Sequence, residues 1–335
     1  MVGMKLFAAP AGSSRTGPST HAVVLLGRRL PATVLASVTT ALARLDVAVH
    51  RIRWLADQPV TARELLVSAR GCASEATAVL RSAVTKVAGG GVDIAVEPVG
   101  PRRWTKRLVI FDVDSTLLRA EVIDMLAARA GREREVRAIT EAAMLGNIDF
   151  TESLHRRVAA LTGLPAAVLD EVAAQAEFTR GVRITVRTLR RLGFRCGAVS
   201  GGFNQVVGPV ATELGLDFFV ANELEIQDGR LTGRVVGEVV DRRAKAEVLR
   251  RFASSYGIPL SQCVAVGDGA NDIDMLTTAG LGVAFNAKPA LREIVDTALS
   301  QLSMEAILFV LGISDDVVER YGRADEPKLS TAVAS

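Results

Sequence analysis

The sequence predicts an α/β protein, with a Rossmann-like parallel sheet core that carries an inserted helical cap and follows a ferredoxin-like domain of βαββαβ order. Three observations predict this fold class. Short, continuously apolar runs alternate with helical segments after residue 105, which is typical of buried parallel strands. A long helical stretch without a strand-like run separates the first two of these strands. The first hundred residues instead show strands and helices in the ferredoxin-like order.

The first domain is predicted over residues 20–100, after a tail of residues 1–19 that is expected to be disordered because it is rich in Gly, Ser, Thr and Pro. Its strands and helices are distinguished by the spacing of apolar residues, with Pro31 in the first turn of one helix and Ser74 capping the other. The predicted elements are strand His21–Gly27, helix Leu30–Leu45, strands Val47–Trp54 and Glu64–Ala69, helix Ser74–Val87 and strand Val92–Val99.

The second domain is predicted over residues 105–320, with a further tail at 321–335. The mostly helical stretch at about 119–181 is longer than an ordinary crossover, so we interpret it as the cap. Asp228-Gly229, between alternating residues, predicts a β-hairpin. The buried strands of the core are Leu108–Phe111, Cys196–Val199 and Cys263–Val266, and helices at Val182–Leu192 and Arg243–Tyr256 precede the last two of them.

Composition excludes several classes of protein. The 335 residues contain 40 Lys+Arg and 37 Asp+Glu, a net charge of +3, which does not favour an electrostatic nucleic-acid binder. The longest apolar stretch, Ala306–Ile313, is far shorter than the roughly 18–20 residues of a membrane span, so no membrane partner is expected. The distant cysteines Cys72, Cys196 and Cys263 do not form a disulfide framework, and they indicate a reducing, cytoplasmic location.

Polar residues follow each of the three predicted parallel strands. Asp112 and Asp114 follow the first, Ser200-Gly201-Gly202 ends the second, and Asp268 and Asp272 follow the third. Because ligands bind at the carboxyl ends of strands in open α/β sheets, we expect these segments to meet in one crevice. Four carboxylates repel one another unless a cation is present, and ligands that are all oxygen favour Mg²⁺.

A phosphate suits such a site, since a hydroxyl and glycine-rich turns expose donors to anion oxygens. An aspartate could then act as nucleophile through an aspartyl-phosphate, and a second one two residues on could serve as acid and base. A cation of the protein would stabilise the transferring phosphoryl group. Lys245, at the start of the helix before the third strand, is the candidate because the chain has only six lysines.

Four ordered motifs resemble those of the haloacid dehalogenase-like phosphatases. They are DxDxT at Asp112–Thr116, Ser200 after a strand, Lys245, and GDGxND at Gly267–Asp272. Within that superfamily the sequence is most similar to the phosphoserine phosphatases, over about residues 105–310. Further segments that carry this similarity are DVDSTLLRAEVID (112–124), FTESLHRRV (150–158), VSGGF (199–203), NELEIQDGRLTG (222–233) and VGDGANDIDML (266–276).

The resemblance implies a role for each matching residue of the reaction centre. Asp112 would be the nucleophile, and Asp114 the general acid and base. The Mg²⁺ ligands would be Asp112, Asp268 and the backbone carbonyl of Asp114, with Asp272 supporting the metal site from behind. The phosphoryl oxygens would be held by Ser200, Gly201 and Lys245, with Asn271 contacting the phosphate or the nucleophile.

The resemblance also implies how the substrate's amino acid is recognised. Glu121 would bind the ammonium group, and Arg157 and Phe150 from the cap would face the carboxylate end; the two charges are also those that complementarity would select. The implied reaction is hydrolysis of O-phospho-L-serine to L-serine and phosphate, the last step of serine biosynthesis. The residues leave open phosphohomoserine or phosphothreonine as substrates, and also a weakly catalytic amino-acid sensor.

The first domain resembles an ACT regulatory domain in its βαββαβ order. Its first loop, Gly27-Arg28-Arg29-Leu30-Pro31, departs from the Asp-x-x-Gly-like turn that such domains often carry there. The resemblance implies an amino-acid effector as a partner and a homodimer formed through this domain.

Overall fold

The computed structural model describes residues 20–100, 105–145, 147–287, 289–295, 297–301 and 303–324. The predicted tail at 1–19 lies outside these residues, as does the predicted tail at 321–335 apart from 321–324. No helix in this described part of the chain combines the length and apolar character needed to cross a lipid bilayer.

The N-terminal region forms an antiparallel four-stranded sheet with the order β2-β3-β1-β4. Its first helix begins one residue after Pro31, which is the N-cap rather than a residue of the first turn. The second helix begins after Cys72, so Ser74 lies inside it and the predicted serine cap is wrong. The elements are β1 (His21–Gly27), α1 (Ala32–Arg44), β2 (Ala48–Ala56), β3 (Thr61–Ser68), α2 (Ala73–Ala88) and β4 (Val92–Pro98).

The two faces of this sheet pack against different parts of the chain. Val23 and Leu65 lie on the face that α1 and α2 cover. Val24 and Ala95 lie on the opposite face and share a core with the segment Ala306–Leu311 of the C-terminal region. Successive side chains of a strand point to opposite faces of the sheet, and here both faces are buried. This burial on both sides explains why β1 is a continuous apolar run.

The C-terminal region contains a seven-stranded sheet with the order β11-β10-β9-β5-β6-β7-β8. Its strands pair in parallel except for β8, which pairs antiparallel with β7. The strands are β5 (Leu108–Phe111), β6 (Arg195–Phe203), β7 (Phe218–Gln227), β8 (Arg230–Val236), β9 (Cys263–Gly267), β10 (Leu281–Phe285) and β11 (Thr297–Leu299). The central position of β5 follows from its sequence, because all four residues of LVIF are completely buried.

Helices α3 to α6 form the cap between β5 and β6, and the other helices pack around the sheet. A loop after α5 joins the cap to the β7–β8 hairpin, since Gly163 N donates to Leu231 O at 2.8 Å and Leu231 N donates to Leu164 O at 2.9 Å. The cap helices are α3 (Val122–Ala130), α4 (Glu133–Met144), α5 (Phe150–Ala159) and α6 (Ala167–Gln175). The remaining helices are α7 (Val182–Arg191), α8 (Asn204–Leu214), α9 (Arg242–Ser255), α10 (Ile273–Thr278), α11 (Pro289–Arg292), α12 (Ala306–Val310) and α13 (Asp315–Tyr321).

The fold class predicted from the sequence is confirmed, and the C-terminal sheet is larger than predicted. The three expected strands are its centre: β9, β5 and β6 lie side by side. The predicted hairpin around Asp228-Gly229 extends this same sheet on one side. Two further strands, β10 and β11, extend the sheet on the other side and were not predicted from the sequence.

Candidate active site

The carboxyl ends of β5, β6 and β9 meet at one edge of the sheet, as their parallel pairing requires. Asp112 lies directly after β5, and its backbone N–H donates to Val266 O of β9 at 2.8 Å. The chain then turns sharply, with Ser115 in the left-handed region at φ 57°. This turn returns the side chain of Asp114 to the same crevice, where it meets Ser200, which lies inside the longer observed strand β6 rather than after it as predicted.

Lys245 is completely buried between two carboxylates. Its Nζ donates to Asp112 Oδ1 at 2.6 Å and to Asp272 Oδ1 at 2.7 Å. The first turn of α9, which carries the lysine, is fixed by Asp241, whose Oδ1 accepts from Ala244 N at 2.8 Å. The helix cap therefore holds the ammonium group in place between the two aspartates.

Burial and mutual repulsion change the proton affinity of the acidic groups. Burial, with repulsion from Asp272, raises the pKa of Asp112 well above its usual value, against the attraction of Lys245. Burial, followed by repulsion from Asp272, raises the pKa of Asp268 to about 7. Although burial opposes it, attraction by Asp112 and Asp272 raises the pKa of Lys245, so this lysine stays charged. The site thus has more negative charge than the single lysine can neutralise.

Asp114 occupies a separate position from the other carboxylates. Its Oδ1 accepts from Val122 N at 2.8 Å and its Oδ2 accepts from Ser200 Oγ at 3.0 Å. Burial, followed by repulsion from Glu121, raises the pKa of Asp114 to about 6. A carboxyl group with this pKa is protonated in about half of the molecules at pH 6 and in about a tenth at pH 7, which suits a group that gives and takes protons.

Three carboxylates, those of Asp112, Asp268 and Asp272, offer oxygens that lie within 4.8 Å of one another. Asp272 already uses both of its oxygens, since Oδ1 binds Lys245 and Oδ2 accepts from the backbone amides of Asp268 and Gly269 at 3.1 and 3.0 Å. Asp112 and Asp268 are therefore the pair that fits a metal ion. A ligand set made only of oxygens, with excess negative charge, suits a hard divalent cation.

Glycines are required around these side chains because a Cβ would collide with them. A Cβ at Gly202 would lie 2.8 Å from Asp114 Oδ2, and one at Gly267 would lie 2.4 Å from Asp272 Oδ2. A Cβ at Gly201 would lie 3.0 Å from the phenyl ring of Phe150, which places this cap residue directly above the end of β6. The cap thus contributes a wall to the crevice.

The predicted recognition residues Glu121 and Arg157 face the same crevice. Ser115 Oγ donates to Glu121 Oε1 at 2.8 Å, which places the glutamate beside the turn after β5. Burial lowers the pKa of Arg157 and outweighs the opposing attraction by Glu121, Asp124 and Asp114, the acidic groups that lie around it. Phe150 and Arg157 are seven residues apart on α5 and so lie on one side of that helix.

The structure brings the predicted site residues together, and two further residues belong with them. Asn271 lies in the turn after β9, where its side-chain amide covers Gly269; its predicted contact with a phosphate stays a prediction. Thr116, which donates to Asp268 Oδ1 at 3.2 Å, was part of the first motif without a role of its own. Asn222 was also missed, because its only signal in the sequence is that it begins the segment 222–233 that resembles the family. Its side chain donates to the backbone carbonyl of Gly201.

Comparison with known proteins agrees with this geometry. Residues 109–277 match the haloacid dehalogenase-like hydrolase family, and residues 19–97 match the ACT domain family. The phosphoserine phosphatase SerB2 of Mycobacterium tuberculosis is 57% identical over 310 residues, which are 92% of this chain and 75% of that protein.

Two solved structures extend the comparison. A structure described as a phospho-aspartyl intermediate analogue of phosphoserine phosphatase is 43% identical with a TM-score of 0.58, over 61% of this chain and 98% of that one. The haloacid dehalogenase family hydrolase t0658 of Salmonella enterica serovar Typhi is 26% identical with a TM-score of 0.75, over 87% of this chain and 98% of that one. The motifs, the site and these matches together lead to one conclusion: the chain belongs to the haloacid dehalogenase-like hydrolase family and carries an N-terminal ACT domain.

Proposed function

We propose that this hydrolase is a Mg²⁺-dependent phosphoserine phosphatase that forms an aspartyl-phosphate on Asp112. The observation that carries the proposal is the buried Lys245 between Asp112 and Asp272, beside Asp114 and Ser200. Such a site combines a nucleophile, a cation for phosphoryl oxygens and an acid with a pKa of about 6. The phosphoserine phosphatase from Mycobacterium tuberculosis, similar along nearly the whole chain, supports the choice of substrate.

The first half of the proposed reaction transfers the phosphoryl group to the protein. Lys245 binds Oδ1 of Asp112, so we assign the attack on phosphorus to Oδ2. The new bond forms as the bond between phosphorus and the serine oxygen breaks, and protonated Asp114 gives its proton to that oxygen. In the second half, Asp114 takes a proton from a water molecule that attacks phosphorus, which releases phosphate and regenerates Asp112.

The surrounding residues hold the phosphoryl group during both halves. We assign its oxygens to Lys245, the Ser200 hydroxyl and the backbone of Gly201, with Asn271, in the turn after β9, contacting the phosphate or the nucleophile. A bound Mg²⁺ held by Asp112, Asp268 and the backbone carbonyl of Asp114 would supply further positive charge to the phosphoryl oxygens. Burial of Ser200 and Lys245 strengthens these interactions, because little water is present to screen them.

Glu121, Arg157 and Phe150 are proposed to select the amino-acid part of the substrate. The glutamate offers a carboxylate to the ammonium group, and the arginine offers two parallel donors to the carboxylate. Phe150 lies above Gly201, and we assign to its ring the closure of the space around the substrate's methylene group. A longer or branched side chain would have to displace this ring, which favours phosphoserine over phosphohomoserine and phosphothreonine.

Phosphate release from a panel of phospho-amino acids, with and without Mg²⁺, tests the proposed function. We expect turnover of L-phosphoserine to exceed that of phosphothreonine and phosphohomoserine, and to disappear when EDTA removes divalent cations. A preference for one of the other two substrates would transfer the proposal to that phospho-amino acid. Absence of turnover with every substrate would favour the amino-acid sensor instead.

The ACT domain is proposed to bind an amino-acid effector and to form a homodimer. Calorimetric titration of the full chain with L-serine tests the first point, with two sites per chain expected: one where the product binds and one in the N-terminal domain. Light scattering tests the second. We also propose a cytoplasmic location, because the thiols of Cys196 and Cys263 are free and buried within strands.

A further inference from the structure

The end of β6 contains a bulge that interrupts its pairing with β7. Val199 pairs with Val220 and Phe203 pairs with Asn222, so Ser200, Gly201 and Gly202 lie opposite the single residue Ala221. A bulge of this kind turns backbone groups out of the ladder and leaves them without strand partners. It turns the segment toward the crevice, and the Gly201 carbonyl then needs a partner from elsewhere.

The side chain of Asn222 supplies that partner. Its exposed fraction is 1%, and its Nδ2 donates to Gly201 O at 2.8 Å. Its Oδ1 accepts from Val240 N, also at 2.8 Å. One buried amide therefore joins the bulge of β6 to the segment that precedes α9.

The segment reached by the second hydrogen bond leads directly to Lys245. Val240 is followed by Asp241, the N-cap of α9, and Lys245 lies in the first turn of that helix. The backbone N–H of Lys245 donates to Asp241 O at 3.0 Å. Asn222 thus fixes the distance between two groups that face the same crevice, the backbone at Gly201 and the ammonium group of Lys245.

We propose that Asn222 is a positioning residue for the phosphoryl group, which it holds indirectly through Gly201 and Lys245. The inference rests on the proposed function, because that function makes a phosphoryl group the ligand. Asparagine suits this position since it has both a donor and an acceptor, and both are used here. Leucine has neither, and an ionised aspartate would place a second acceptor against the Gly201 carbonyl.

Substitutions at Asn222 test the inference through the binding of two different products. Under the proposed function, inorganic phosphate binds at the end of the crevice that Asn222 positions, and L-serine binds as product at the end formed by the cap, separately from its expected site in the N-terminal domain. We expect Asn222→Leu to weaken phosphate binding about tenfold, the order expected for losing a buried hydrogen bond, while L-serine binds within about twofold of the wild type. The constants are measured by calorimetry in the presence of Mg²⁺ and as product inhibition.

Asn222→Asp keeps the size of the side chain and provides a second test if the leucine variant does not fold. Its protonated carboxyl has the same donor and acceptor pattern as the amide, and its ionised form has lost the donor. The ratio of variant to wild-type phosphate affinity should therefore fall as the pH rises. The same ratio for Asn222→Leu should not change with pH.

Gln205, at the start of α8, offers a matched control that also contacts β7. Its Nε2 donates to Leu224 O at 2.9 Å, so Gln205→Leu likewise removes a side-chain amide that binds a backbone carbonyl, but one remote from Gly201 and Val240. We expect this variant to lower the melting temperature and to leave phosphate affinity unchanged.

Two results would overturn the role of Asn222: unchanged phosphate affinity in Asn222→Leu, or an equal loss for phosphate and L-serine. A wild-type protein that binds phosphate but does not hydrolyse L-phosphoserine would contradict only the proposed function. The comparison of phosphate affinities would still test Asn222 in that case.

Discussion

The two sheets of this protein have similar local elements but place their strand ends differently. In the N-terminal sheet, β1 runs antiparallel to both of its neighbours, so the carboxyl ends of adjacent strands fall on opposite edges. In the C-terminal sheet, β5 runs parallel to β6 and β9, and their carboxyl ends share one edge. Only the parallel arrangement brings Asp112, Ser200 and Asp268 together from distant parts of the sequence.

The two regions also differ in how they balance buried charge. In the N-terminal sheet Glu64 is buried and paired with Arg53 at 2.7 Å, and Arg63 is paired with Asp57 at 2.6 Å. At the C-terminal sheet edge one lysine contacts two buried carboxylates, and further carboxylates lie nearby. In a balanced pair the two charges neutralise each other and no further ion is needed. In an unbalanced cluster the excess negative charge favours binding of another cation. An imbalance of buried charge, rather than buried charge itself, therefore indicates the site.

The largest effect is expected from Asp112→Asn. An amide is a far weaker nucleophile than a carboxylate, so phosphate release should fall by at least about 10³-fold. The free energy of unfolding should stay the same or rise, because one negative charge leaves an overcharged cluster. Phosphate assays and urea unfolding measure the two effects.

Asp57→Asn is the matched control in the N-terminal sheet. Its carboxylate is mostly exposed and balances one arginine, so turnover should not change and stability should change by less than about 1 kcal/mol. Undiminished phosphate release by Asp112→Asn would contradict the proposed nucleophile.

The next largest effect is expected from Lys245→Met. Removing the lysine leaves Asp112 and Asp272 buried without their shared cation, which should cost about 3–5 kcal/mol of unfolding free energy at neutral pH. Mg²⁺ should restore part of this loss. Urea unfolding with and without Mg²⁺ measures it, with the exposed Lys86→Met as control. A loss in Lys245→Met no larger than that of the control would show that the cluster is not overcharged.

Much of the fold follows from the sequence because local patterns decide it. LVIF predicts β5 to the residue, and Asp228-Gly229 predicts the hairpin between β7 and β8. The three-residue strand β11 could not be predicted, since a run this short has no period and depends on pairing with β10. The cap of α2 was misplaced because Cys72 and Ser74 are both near its start, and the choice between them depends on tertiary packing.

The residues of the site could likewise be predicted where they share a continuous motif, but not where their contacts join distant parts of the chain. Asp112 and Asp114 lie in a continuous motif, so the sequence predicts both. That Asp114 contacts Ser200 could be expected only from strand polarity, since 86 residues separate them. The sequence could not show that both carboxylate oxygens of Asp272 accept hydrogen bonds, from Lys245 and from backbone amides. Nor could it show that Asn222 donates to the carbonyl of Gly201 in the bulge of β6. Such contacts depend on distances that arise only after folding.

Removing the metal should reverse the usual pH dependence of an acidic cluster. The raised pKa values of Asp114, about 6, and Asp268, about 7, mean that the folded protein binds these protons more tightly than the unfolded chain. Their contribution to stability is therefore complete at low pH and is lost as the pH rises through about 6 to 7. Without metal, this part of the unfolding free energy should be larger at pH 5.5 than at pH 8.

Thermal unfolding across this pH range, with EDTA or with saturating Mg²⁺, measures the effect. Mg²⁺ should reduce the pH dependence, because a bound cation stabilises the ionised carboxylates. The variant Asp268→Asn isolates one group, and its stability should depend less on pH than that of the wild type. Equal pH dependence in the two proteins would contradict a raised pKa at Asp268.

The smallest effect is expected where the N-terminal sheet contacts the C-terminal one. Asp93 on β4 accepts hydrogen bonds from Ser300 Oγ at 3.0 Å and from Gln301 Nε2 at 2.6 Å, next to β11. Asp93→Ala should lower the free energy of unfolding by about 1–2 kcal/mol, since the carboxylate is only partly buried, and should leave turnover unchanged. Urea unfolding, with the exposed Glu238→Gln as control, measures this loss. A large loss of turnover would mean that the contact between the two sheets also acts on the site, and the contrast between a structural and a catalytic sheet would then be incomplete.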